Sequence, residues 1–181
     1  RLAVEELEKF RLTSYTEKSQ RYITLNKDFV IPEELKNTRF ERAFLDMVQK
    51  QNSAYTELFE KLKGYVFKKH HDLARDKKNH DLLEGWAKED ARYITALATE
   101  SQVGMTVNAR NLELILRRFA SHPLAEVQAV GRAMHSQIEE VAPSIVLFHE
   151  ANDRDTKTFP ELQKFVSENV DSRDASSLGQ E

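Results

Sequence analysis

The stretch from Thr38 to Gly64 most constrains the fold of this chain, because its large apolar residues recur at helical rather than strand spacing. Phe40, Phe44, Met47, Val48, Tyr55, Leu58, Phe59 and Leu62 fall near a 3.6-residue period, which predicts one long helix with a single buried stripe. Thr38-Arg39-Phe40-Glu41 reads as a capping box at its start: the threonine can cap the first turn while the glutamate reaches back. Aromatic residues on such a stripe are core by default, since packing explains them without a ligand.

Other segments repeat the pattern. Val4 to Phe10 reads as a short amphipathic helix, and Asp81 to Ala98 as a second long one that turns Leu82, Leu83, Trp86, Ile94 and Leu97 inward. Asn108 is placed to cap a further helix burying Leu112, Ile115, Leu116 and Phe119. Ser121 with Pro123 marks the start of a last one, which runs through Leu124, Val127, Met134, Ile138 and Val141 to a stop before Pro143. Arg21 to Leu25 has the β-branched and aromatic content of a strand. The expected fold class is therefore α+β and helix-rich. A domain over 1–150 precedes a charged extension over 151–181, in which Phe159, Leu162, Phe165 and Val166 could form a short docking helix before a mobile end.

Composition removes several chemistries. The 181 residues contain no cysteine, so disulfides, thiolate zinc sites and a cysteine nucleophile are excluded. A net charge of -3 gives no bulk footprint for nucleic acid. No apolar run approaches the roughly twenty residues of a bilayer span, so neither a membrane nor a nucleic-acid partner is expected and a cytoplasmic location is the default. His70-His71-Asp72 and Asn79-His80-Asp81 hint at a metal site, but Lys68, Lys69, Lys77 and Lys78 crowd them and favour a solvated connection; no metal is expected.

Glu17-Lys18-Ser19-Gln20-Arg21-Tyr22 offers a sharper chemistry. In an extended chain Glu17, Ser19 and Arg21 share one face, where arginine and serine can grip a phosphate and the glutamate can accept from a sugar or base. A solvated polar strand face is the alternative reading. Lys9-Phe10-Arg11-Leu12-Thr13-Ser14-Tyr15-Thr16 precedes it, and Asp90-Ala91-Arg92 and Asn108-Ala109-Arg110-Asn111-Leu112 follow far downstream, then Arg117-Arg118 and Ser121-His122.

From about Lys9 to Pro143 this ordered set resembles the flavin-dependent thymidylate synthases. That family carries Arg-His-Arg, a spacer, Glu-x-Ser-x-Arg-Tyr and a later Asn-Ala-Arg-x-Leu helix start. The resemblance implies a small antiparallel sheet packed with several long helices. It implies reductive methylation of dUMP to dTMP, with FAD as cofactor and methylenetetrahydrofolate and NAD(P)H as co-substrates, in a homotetramer with shared active sites. It further implies Glu17, Ser19, Gln20, Arg21 and Arg92 at dUMP, Arg118 as the catalytic, uracil-facing arginine, and Lys9, Arg11, Leu12, Glu17, Asn108, Arg110 and His122 toward FAD. A capping role also accounts for Asn108, and a hydrogen bond at a helix start for His122.

Three departures mark this chain. Lys9-Phe10-Arg11 stands in place of Arg-His-Arg, Thr16 and Gln20 replace common family residues, and the interval from Asn108 to His122 is one residue short. Counting back from His122 selects Arg118, with Arg117 as the competitor; counting from Asn108 lands on Phe119. Family members usually carry a further segment before the first motif, so an N-terminal portion is expected to precede Arg1. A non-catalytic nucleotide- or flavin-binding paralogue and a helical interaction module remain alternatives.

Overall fold

A computed structural model describes residues 1–18 and 28–170. The chain divides into two compact units: residues 1–9 with 14–106, and residues 10–13 with 107–181.

In the first unit, helix α1 (Leu2–Glu8) buries Ala3 and Leu7, one helical turn apart. It starts and stops about two residues before the expected Val4 to Phe10. Strand β1 (Thr13–Glu17) pairs with β2 (Val103–Val107), each running one residue into the second unit. Thr16 lies beside Gly104, and the Lys18 N–H donates to the Gln102 carbonyl, so the pairing is antiparallel. The β2 sequence alternates half-buried Val103, Met105 and Val107 with exposed Gly104 and Thr106, a period-two signal that the sequence reading passed over. The expected strand at Arg21 to Leu25 lies outside the described residues.

Helix α2 (Glu41–Lys69) is the long helix foreseen from its stripe, but it runs past Gly64. Its capping box does not close. Glu41 Oε2 accepts the Asn37 N–H at 2.6 Å, and Thr38 Oγ1 accepts only the Phe40 N–H at 3.3 Å. The buried stripe is narrower than expected: Val48, Asn52, Tyr55 and Val66 are buried, with Phe44, Phe59 and Leu62 partly covered. Met47 and Leu58 are 56% and 40% exposed because they fall off the 48-52-55-59-62-66 ridge, and Phe40, 54% exposed, precedes the first residue of the helix.

After a short α3 (His71–Ala74) and a 3₁₀ turn (Lys77–Asn79), α4 (His80–Ala91) packs against α2 and closes a core of Val66, Leu83 and Ala87. Lys63 on α2 pairs with Glu84 on α4 at 2.7 Å. Their hydrogen bond raises the lysine pKa and lowers that of the carboxyl. Of the apolar residues expected inward, Leu83 is fully buried and Trp86 partly so, but Leu82, Ile94 and Leu97 are exposed. The helix also stops seven residues before Ala98. Arg92–Ile94 tightens into a 3₁₀ turn whose Arg92 carbonyl takes both the Thr95 N–H and the Thr95 hydroxyl, after which the backbone is extended. His70 packs edge-on to Trp86 and His80 edge-on to Phe67, so both serve packing.

The second unit is helical. Helix α5 (Ala109–Ala120) buries Leu112, Ile115, Leu116 and Phe119, the four residues that its spacing marked. It packs on α6 (Ala125–Val141), whose Val127 and Gly131 are buried. A Cβ at Gly131 would lie 2.9 Å from Phe119 Cβ, too close for either backbone to yield cheaply. Gly131→Ala is therefore expected to lose up to about 2 kcal/mol of stability, the overpacking cost less the gain in helix propensity. A chemical-denaturation midpoint equal to the parent's would refute it. Helix α7 (Asp153–Asn169) is longer than the short docking helix expected in that region. It leaves Leu162, Phe165 and Val166 exposed. No helix of the described residues is long and apolar enough to cross a membrane.

Candidate functional site

The hexapeptide expected to bind phosphate is described only in part: Ser19, Gln20, Arg21 and Tyr22 lie outside the described residues. Glu17 ends β1, and its Oε1 accepts the Ser101 hydroxyl at 2.9 Å, so its exposed carboxylate is held on the sheet in one place. That charge, after burial, helps raise the pKa of Glu8. Arg92, also in the first unit, is half-buried, and its guanidinium pairs with no carboxylate among the described residues. A half-buried cation without a protein anion is chemically suited to an external one.

The remaining candidates divide between the two units. Lys9 belongs to the first, is exposed and pairs with Glu6. Arg11 and Leu12, in the second, are exposed, and the Leu12 carbonyl accepts the Asn111 side-chain N–H at 3.0 Å. Phe10, which stands where an imidazole is usual in the resembled family, packs edge-on to Phe119 at 6.1 Å. Asn108 caps α5, its Oδ1 accepting the Asn111 N–H at 2.9 Å. Arg110 is exposed in the first turn.

His122 is buried. Its Nδ1 accepts the Leu124 N–H at 3.1 Å, and its ring meets Phe159 at 5.1 Å. The imidazole, not Ser121, therefore secures the entry to α6; Ser121 turns back to the Arg118 carbonyl. Arg117 and Arg118 converge on one carboxylate, Asp155, at 3.0 and 3.4 Å.

Sequence reasoning missed two anchors here. Glu113 accepts the Leu147 and Phe148 N–H groups at 3.0 and 3.1 Å. The Phe148 N–H chiefly, with the Leu147 N–H, Arg117 and His149 adding, lowers its pKa against a smaller desolvation. A lowered carboxyl pKa stabilises the fold above the unfolded value and loses that effect as pH falls through the folded value. Glu113→Gln is accordingly expected to narrow its stability deficit as pH drops below the ordinary carboxylate range. A deficit constant from pH 7 to pH 3 would contradict this. Asp155 is the second missed anchor, and its signal was legible: Asn152 and Asp155 have capping-box spacing, and both halves of the box form.

Arg11 and Arg110 are exposed and make no ion pair among the described residues, which suits the phosphates of FAD. His122 does not offer Nδ1, which the Leu124 N–H occupies.

The model of the thymidylate synthase complementing protein family matches residues 1–144. A flavin-dependent thymidylate synthase of Clostridium tetani is 28% identical over 148 residues, covering 80% of this chain and 57% of the relative. One of Pyrococcus abyssi is 30% identical over 154 residues, covering 80% and 54%. The chain thus spans about half the length of these curated relatives. Among solved structures, a UMP/dUMP methylase, PolB, from Streptomyces cacaoi bound with 5-Br dUMP superposes with a TM-score of 0.56 at 21% identity, covering 78% of this chain and 63% of that one. That likeness supports the helix-rich fold with its small antiparallel sheet.

Proposed function

We propose, from the premise that the chain belongs to the thymidylate synthase complementing protein family, that it methylates dUMP reductively to dTMP. The observation carrying this reading is the family match over residues 1–144, which spans both the Glu17-x-Ser19-x-Arg21 segment and the Asn108-Ala109-Arg110 helix start. FAD is the cofactor, methylenetetrahydrofolate the carbon donor and NAD(P)H the reductant. The enzyme acts in the cytoplasm as a homotetramer, whose closed symmetry would let residues of different subunits share a site.

Ser19 and Arg21 hold the dUMP phosphate through a charge-assisted fork and a hydroxyl, with Gln20 between them. Glu17, steadied by Ser101, faces the nucleotide. Arg92 is the second anion anchor, which its lack of a described carboxylate partner supports. Arg118 polarises the uracil ring, stabilising negative charge as it develops and making the ring carbon more electrophilic. Lys9, Arg11, Leu12, Glu17, Asn108, Arg110 and His122 form the flavin side, with Arg11 and Arg110 at its phosphates and His122 supporting from the α6 entry. Bound flavin would supply the hydride chemistry, while these residues bind, orient and exclude water.

One observation favours a second reading, a nucleotide-binding paralogue with weakened flavin affinity. Phe10 is spent on packing against Phe119, so the first motif retains one arginine and no imidazole. The visible spectrum after incubation with FAD and desalting, repeated with dUMP, separates the two. A retained flavin band perturbed by dUMP, followed by dTMP formation, supports the synthase. A folded protein that retains dUMP and no flavin supports the paralogue.

A further inference from the structure

Asp155 lies beyond residue 144, outside the stretch matched to the family, yet it is the buried acidic residue of the described chain at 4% exposure. A carboxylate withdrawn from water must be compensated, and this one is compensated by the two arginines that compete for the uracil-facing role. Oδ2 lies 3.0 Å from Arg117 Nε, close in charge though not aligned as a hydrogen bond. Oδ1 lies 3.4 Å from Arg118 Nη1.

The carboxylate is itself clamped. Oδ2 accepts the Asn152 N–H at 3.3 Å while the Asp155 N–H donates to Asn152 Oδ1 at 2.9 Å. One turn onward, Phe159 meets the His122 ring, so a second, apolar contact docks the start of α7 on the residues that follow α5.

Glu113 also lies within electrostatic range of Arg117, so Asp155 is the carboxylate that faces Arg118. The Arg118 side chain remains 47% exposed, and among the described residues its guanidinium makes this one polar contact, through Nη1. Ordering a free arginine costs side-chain entropy, which a fixed carboxylate meets before any ligand arrives. We propose that Asp155 is a positioning residue that holds the Arg118 guanidinium by Nη1 in one orientation and leaves its other nitrogens open to the pyrimidine of dUMP. The inference rests on the reading of Arg118 as the uracil-facing group.

A double-mutant cycle in the full-length protein tests it, using Asp155→Asn, Arg118→Ala and their combination. The readouts are the dUMP Kd of flavin-free protein by calorimetry and the kcat of loaded protein, each per natively folded molecule. Asp155→Asn is expected to weaken dUMP binding about 2- to 10-fold and to lower kcat more than KM rises, with both effects vanishing in the Arg118→Ala background. Equal effects in both backgrounds would make Asp155 merely structural. Tighter binding or faster turnover would make it an opposing anion. Either result overturns the proposal. Arg118→Ala by itself tests the underlying reading: unchanged Kd and kcat in that variant sink the reading, and the proposal falls with it. If Asp155→Asn does not fold, Asn152→Ala loosens the same clamp with the carboxylate intact and runs through the same cycle with the same expected signs.

Discussion

Replacing Ile115 with alanine is expected to lower the unfolding free energy by about 2–5 kcal/mol, the cost of deleting a buried aliphatic side chain and leaving part of its volume empty. Ile115 is fully buried, and it sits among Leu112, Leu116 and Phe119 on the face of α5 that packs on α6. The site has little room to collapse, since Gly131 on α6 already admits the Phe119 Cβ at a distance no larger residue would permit. The loss should appear in urea unfolding as a lower midpoint with an unchanged slope. A loss below about 1 kcal/mol, at the scale of an exposed substitution, would show that this helix pair is not the core of the second unit. Because α5 also carries Arg110, Arg117 and Arg118, the same variant should lose ligand binding in proportion to its unfolded fraction.

Arg21→Ala carries the largest expected effect on binding. Loss of a charge-assisted phosphate contact costs about 1.5–3 kcal/mol, so the dUMP dissociation constant should rise about 10- to 150-fold. The fork geometry makes Arg21→Lys a poor substitute, since an ammonium cannot reproduce two parallel hydrogen bonds. Deoxyuridine, which lacks the phosphate, should bind the parent and the variant alike. If calorimetry instead finds dUMP affinity unchanged in Arg21→Ala, the phosphate is held elsewhere and Arg92 becomes the leading anchor.

Much of this molecule was legible because helical periodicity is a local property. The α5 core set was read residue by residue, and Asn108 was identified as its cap because an amide oxygen before a helix has one obvious donor to satisfy. The α2 reading was right in kind and too generous in breadth, since periodicity marks a stripe but the partner helix decides its width. The end of α4 was misjudged for a related reason. Leu97 continues the apolar pattern, while the Thr95 hydroxyl competes for the Arg92 carbonyl and ends the helix. The alternation in β2 is present in the sequence, but it runs for five residues and a glycine interrupts it.

The candidate site divides along the same physical line. The residue types and spacings of Glu17-x-Ser19-x-Arg21, Arg92, Asn108-Ala109-Arg110 and Arg117-Arg118 are written in the chain, and with them the family to which it belongs. Sequence alone also determined that no cysteine chemistry is available, because a thiolate cannot be supplied by geometry. Only the tertiary structure decided that Glu17 is steadied by Ser101, that Phe10 packs on Phe119, that His122 secures a helix entry, and that both arginines share Asp155. Those pairings join residues 37 to 109 positions apart or depend on a ring's orientation. Spacing along the chain reports which groups one element can present, whereas the partner that satisfies each group is set by which elements fold back against it.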